Sequence, residues 1–85
     1  MSYYEHIVIS AVRYALGRMT YIVNLTIDYV LRDIDSNKLS DNCLKVIAID
    51  IKDCKDYGLE RDKKYWLKLL NKIEEVIKWR KNNKK

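Results

Sequence analysis

Asp62-Lys63-Lys64-Tyr65-Trp66-Leu67-Lys68-Leu69-Leu70-Asn71-Lys72-Ile73-Glu74-Glu75-Val76-Ile77-Lys78-Trp79-Arg80-Lys81 decides the fold. At about 100° per residue, Trp66, Leu69, Leu70, Ile73, Val76 and Ile77 fall in one sector of a helical wheel. Asp62 stands where its carboxylate can accept a backbone N–H as an N-cap. Glu74 and Lys78 form an i,i+4 pair of the favourable polarity, worth about 0.3–0.5 kcal/mol. The spacing predicts an amphipathic helix from Asp62 to about Lys81, and a helix with one apolar face needs partners.

Three more helices supply them. The first is expected over about Tyr4 to Leu16, with Ile7, Ala11, Tyr14 and Ala15 on one stripe and Val8 and Val12 beside it. Gly17 can take positive φ and end it, and Thr20 can cap the next helix. The second is expected from about Tyr21 to Ile34. It is apolar on two sides: Val23, Ile27, Val30 and Ile34 on one, Ile22, Leu25 and Tyr29 on the other. A helix of that kind is usually central. Its β-branched, alternating pattern also fits a strand. The third is expected from about Asp41 to Tyr57, capped by Ser40 and stopped by Gly58, with Leu44, Ile47, Ala48, Ile51 and Cys54 on one face. Ile47, Ile49 and Ile51 can alternate as a strand as well.

Short connections favour antiparallel neighbours. The expected architecture is an all-α, compact four-helix bundle over residues 1–81, with a disordered basic tail at 82–85. An α+β helix–hairpin–helix is the runner-up.

Composition narrows the function. At 85 residues the chain is one domain with a small core. A hydrophobic share of 48% excludes wholesale disorder. No apolar run reaches the length of a membrane span, and Met1-Ser2-Tyr3-Tyr4-Glu5-His6 does not resemble a signal peptide. Two cysteines are too few for a disulfide scaffold. A cytoplasmic protein without membrane contact is expected. The net charge of +5 is uneven: +1 over residues 1–27, −3 over 28–62 and +7 over 63–85. An acidic middle and a basic end suit polar complementarity with a partner or a second copy.

Catalysis finds no constellation. A nucleophilic cysteine needs a base, and the single histidine, His6, sits near a terminus. Cys43 lies where the third helix dipole can lower its pKa, whereas Cys54 belongs to an apolar face. Zinc needs three or four ligands, which Cys43, Cys54 and His6 do not supply at a suitable spacing. Asp50, Asp53 and Asp56 read as a solvated helix side without an EF-hand glycine. Two isolated glycines make no phosphate loop. The chain is expected to be no enzyme and to hold no metal or cofactor.

Two features suit a partner. Lys64, Lys68 and Lys72 recur at i, i+4, i+8, and Trp79 falls on the same side of the last helix as Lys72. A tryptophan among lysines can stack on a base or anchor an interface. The plainer alternative is a solvated helix face. The second feature is Arg13-Tyr14-Ala15-Leu16-Gly17-Arg18-Met19-Thr20-Tyr21, two arginines and two tyrosines around one turn. Either it faces a partner, or Arg13 or Arg18 ties the turn to Asp50 or Asp62. The expected partner-binding set is Arg13, Arg18, Tyr21, Lys64, Lys68, Lys72 and Trp79.

The stretch Ala11 to Val23 resembles an "AxRYALGRxTY" motif of small phage and prophage proteins of low-GC bacteria. Leu39-Ser40-Asp41-Asn42 is similar to their "LSxN" helix start, and Asp62 to Leu70 to their "DxxxWxxLL" segment. The resemblance spans about residues 11–73. It implies a phage-borne protein of a class that includes inhibitors of host defence, such as anti-CRISPR proteins, and regulators of phage genes. The leading expectation is therefore a protein that binds a host protein such as a CRISPR effector. A nucleic-acid-binding module using the basic last helix is the alternative, and homo-oligomerisation is compatible with the host-protein reading.

Overall fold

A computed structural model describes residues 1–54 and 59–83. It is an all-α four-helix bundle: α1 Tyr3–Ala15, α2 Thr20–Asp35, α3 Asp41–Asp53 and α4 Leu59–Asn82. Neither the 21–31 nor the 44–52 segment is a strand. The expected end of the third helix at Tyr57–Gly58, Asp56, and Lys84 and Lys85 of the tail lie outside the described residues. Asn82, expected in a disordered tail, belongs to α4, and the Asn83 N–H still bonds the Trp79 carbonyl at 3.0 Å.

Local chemistry explains most boundaries. Ser2 caps α1 in a capping box, its hydroxyl accepting from the Glu5 N–H while Glu5 accepts from the Ser2 N–H. Gly17 takes φ 82°, which lets the chain turn into α2. Thr20 is not the cap of α2: Met19 holds that position without a side-chain bond, and Thr20 is the first helical residue. Ser40 caps α3 by accepting from the Cys43 N–H at 3.2 Å. Asp62 does not cap α4, which starts at Leu59 and leaves Asp62 one turn in and fully buried.

The helices close a ring in the order α1, α2, α4, α3; α1 and α4 face each other across one diagonal, α2 and α3 across the other. Polar ties give the directions. Tyr4 donates to Asp33, so α1 and α2 run antiparallel. Lys52 meets Glu74 and Arg80 meets Asp41, so α3 and α4 do too. Glu5 meets Ser40 and Arg13 meets Asp50, which makes α1 and α3 parallel. Thr20 meets Asp62 and Asp35 meets Lys72, which makes α2 and α4 parallel. The fold is thus two αα-hairpins laid side by side. Antiparallel neighbours hold within each hairpin, whereas the sequential pair α2 and α3 is separated by the diagonal. Glu74 spends its charge on Lys52 across the hairpin instead of on Lys78.

The core draws on all four helices, with Trp66, Leu44, Ile47, Ile51, Leu69, Ile73, Val12, Val23 and Val30 fully enclosed. The face of α1 that goes inward is Val8, Ile9, Val12 and Ala15; Ile7 and Tyr14 stay outside. The stripe centred on Ile7, Ala11 and Tyr14 is corrected accordingly. The second apolar side of α2 is not covered either: Leu25 and Tyr29 are exposed and Ile22 is half-buried. The indole N–H of Trp66 is buried with no hydrogen-bond partner among the described residues.

Candidate functional site

The turn segment divides its two arginines between two tasks. Arg13 Nε donates to Asp50 Oδ2 at 2.7 Å and ties α1 to α3. Arg18 pairs with neither Asp50 nor Asp62. Its guanidinium lies 4.5 Å from the centroid of the Tyr14 ring, and its Nε donates to the Tyr14 carbonyl at 3.2 Å. Arg61 takes the role left open: its Nη2 donates to Asp62 Oδ2 at 3.0 Å and to the Arg18 carbonyl at 3.1 Å. Tyr21 is exposed.

Tyrosines line the outside of the α1–α2 hairpin along its length. Tyr3, Ile7 and Tyr14 recur along the outside of α1, and Tyr21, Leu25 and Tyr29 along the outside of α2. Tyr4 lies across the seam, its hydroxyl on Asp33, and that bond raises the Tyr4 pKa above its ordinary value. Arg32 sits 5.7 Å from the Tyr29 ring centroid. The five tyrosines are 44–82% exposed. At about 150–250 Å² per aromatic side chain, they leave on the order of 600 Å² of aromatic surface in water. Monomers seldom expose a contiguous apolar patch beyond a few hundred Å².

The lysines of α4 form a different surface. Lys64 and Lys68 are exposed, and Lys72 lies 3.6 Å from Asp35 and 3.9 Å from Glu75. These residues line a shallow groove with Leu31 and Leu67. Trp79 is 64% exposed beyond them, above Arg80. The structure therefore does not unite the expected set. Tyr21 and Arg18 belong to the α1–α2 face and Arg13 to the α1–α3 seam. Lys64, Lys68, Lys72 and Trp79 belong to α4. The two segments touch where Thr20 meets Asp62 and Arg61 meets the Arg18 carbonyl.

Three carboxylates are buried, Glu5, Asp33 and Asp62, and Asp33 is the one that accepts from Tyr4. Glu5 accepts from Ser40 Oγ at 2.6 Å, from the Ser40 N–H at 2.7 Å and from the Ser2 N–H at 3.0 Å. These bonds, led by the Ser40 hydroxyl, hold its pKa down to about 2. Glu5 stands where the N-termini of α1 and α3 converge, and a negative charge is favourable there. At the opposite end Asp62 fills the same role for α2 and α4. Burial pushes its pKa up, but the Thr20 hydroxyl at 2.7 Å and the Arg61 guanidinium outweigh that and hold it below the ordinary value. The Ser2-x-x-Glu5 spacing announces the capping half of the Glu5 arrangement; the Ser40 half depends on tertiary docking.

Cys43 is no activated thiol. Burial, with Glu5 next in effect, pushes its pKa up to about 11, against the lowering expected from the helix dipole. Cys54 is half-buried at the end of α3. Among the described residues no three His, Cys, Asp or Glu side chains gather as a metal site. Among them, too, no helix is long and apolar enough to cross a membrane. No protein-family model, curated protein or solved structure matches the chain.

Proposed function

We propose that the protein is a non-enzymatic binding module that engages another protein through the tyrosine face of α1 and α2. The observation that carries this is the exposed row of Tyr3, Tyr14, Tyr21 and Tyr29 with Arg18 and Arg32 against two of the rings. Tyrosine and arginine are the side chains in which binding energy concentrates at interfaces. Tyr21 and Arg18 are kept from the expected binding set; Arg13 is assigned to holding the fold. The partner follows from the resemblance of the Ala11–Val23 motif to phage proteins: a host-cell protein in the bacterial cytoplasm, such as a CRISPR effector.

Interference assays with and without the gene test the proposal. Protection of a targeted plasmid or phage by the natural sequence, lost in Tyr21→Ala/Tyr29→Ala, is the expected result. Targeting that continues unabated for every effector type removes the defence role. Full protection by the double variant moves the binding surface elsewhere. Light scattering adds the oligomeric state, since the same face is large enough to serve a second copy.

A second reading has its own observation. Lys64 and Lys68 have no acidic partner among the described residues, and Trp79 stands exposed on the same helix. Lysines with an aromatic platform suit a nucleic acid backbone and base. An electrophoretic shift at low salt that fades at moderate salt supports this reading, and no shift at low salt removes it.

A further inference from the structure

Between α3 and α4 runs an open groove of about 520 Å³. Its floor is apolar: Ala48, Ile49, Ile73 and Ile77. Its rims are basic, with Lys45 and Lys52 on α3 and Lys78 and Lys81 on α4. Glu74 is its one acidic lining residue, and Lys52 already holds it at 3.3 Å. Lys45, Lys78 and Lys81 therefore stand over hydrocarbon with no carboxylate in ion-pair range among the described residues. Lys45 to Lys52 spans two helical turns, about 10 Å.

Ammonium groups of like charge beside a low-dielectric floor repel one another, and water alone solvates them. A ligand relieves both costs only if it is apolar in the middle and anionic at the edges. A hydrophobic segment without acids leaves the lysines unpaired. A nucleic acid strand meets the lysines but finds no aromatic side chain in the groove on which to stack a base. We propose that the α3–α4 groove binds an acidic amphipathic helix of a partner protein. Its apolar side chains at i and i+3 or i+4 rest on Ile49 and Ile77, above the enclosed Ile73, and its flanking Asp or Glu side chains meet Lys45, Lys78 and Lys81. The groove is separate from the tyrosine face of α1 and α2, so either surface can fail its test while the other stands.

The test is fluorescence anisotropy with the full chain and a labelled synthetic helix of about 12 residues, leucine on one stripe and glutamate on both flanks. Three further probes are a version with lysine for glutamate, a version with serine for leucine, and a single-stranded oligonucleotide. Saturable binding of the acidic peptide, weaker with added salt, is expected. Lys78→Glu/Lys81→Glu weakens it roughly tenfold or more, and Ile49→Ser weakens it without changing the salt dependence. Circular dichroism checks the fold of each variant; Lys45→Glu on the opposite rim replaces the pair if the pair does not fold. Equal binding of the lysine or the serine peptide overturns the proposal. So does a loss below about twofold in the charge-reversed variants, or displacement of the peptide by the oligonucleotide at equal concentration.

Discussion

Arg80→Ala is the most informative substitution. Arg80 lies in the strongly basic last quarter of the chain, yet its guanidinium points inward and its side chain is only 19% exposed. Nη1 donates to the Leu39 carbonyl at 2.9 Å and to Asp41 Oδ1 at 2.8 Å; Nη2 donates to Asn37 Oδ1 at 2.9 Å. The three acceptors belong to the α2–α3 connection and the first turn of α3, and Asn37 holds the left-handed φ of 57°. Asp41 is about half exposed, so its pair resembles a surface ion pair at roughly 0.5–1 kcal/mol. The charged bond to the Leu39 carbonyl contributes about 1.5 kcal/mol and the rim bond to Asn37 about 0.5. Arg80→Ala is expected to cost about 2.5–3 kcal/mol. For a domain this size that lowers Tm by roughly 10–20 °C. Arg80→Lys reaches fewer of the partners at once and falls between the two. Lys78→Ala, exposed and two residues away, is the control and stays within about 0.5 kcal/mol. Far-UV circular dichroism melts at one protein concentration decide it. An Arg80→Ala melt indistinguishable from Lys78→Ala refutes the clamp and returns Arg80 to the solvated basic surface.

Trp66→Ala removes the largest enclosed side chain and costs about 3–5 kcal/mol, read from urea denaturation midpoints. Glu5 gives a pH dependence of definite sign. Its folded pKa of about 2 lies below the ordinary 4.5, so its contribution is complete above pH 4.5 and lost as pH falls toward 2. Glu5→Gln should be less stable at neutral pH, with the difference from the natural sequence shrinking across that window; a constant difference contradicts the assignment. Thiol labelling of the folded protein at neutral pH should modify Cys54 first and leave Cys43 protected, and equal rates would contradict the burial of Cys43.

The number of helices and the inward face of α4 were legible because the apolar spacing of α4 and the Ser40 cap are local signals. The inward side of α1 was not. Its wheel carries apolar residues almost all round, and which of Ile7 or Ile9 goes inside depends on where α2 and α3 dock. Asp62 falls inside α4 instead of at its cap for a similar reason. An aspartate ahead of an apolar run looks like a cap, and only the approach of Thr20 and Arg61 makes a place for it inside the helix. Lys64, Lys68 and Trp79 were legible as exposed from periodicity alone. Arg13 and Arg18 look alike in sequence, and the Asp50 carboxylate on another helix is what separates them.

The pairing of hairpins has a consequence for uniqueness. Val, Ile and Leu layers are poor at telling one sliding position from another, since a shift by a helical turn puts similar side chains back in contact. The ties between the hairpins are different: Glu5 with Ser40, Arg13 with Asp50, Thr20 with Asp62 and Asp35 with Lys72. They sit at both ends of the seam and have opposite chain order. Sliding one hairpin by about 5.4 Å along the other breaks all four together and strips the buried Glu5 of its Ser40 donors and the buried Asp62 of its Thr20 donor, leaving each carboxylate only the donor of its own helix, Ser2 and Arg61. The oily layers hold the hairpins together, and the two carboxylates lock their alignment like pins at opposite ends of a hinge.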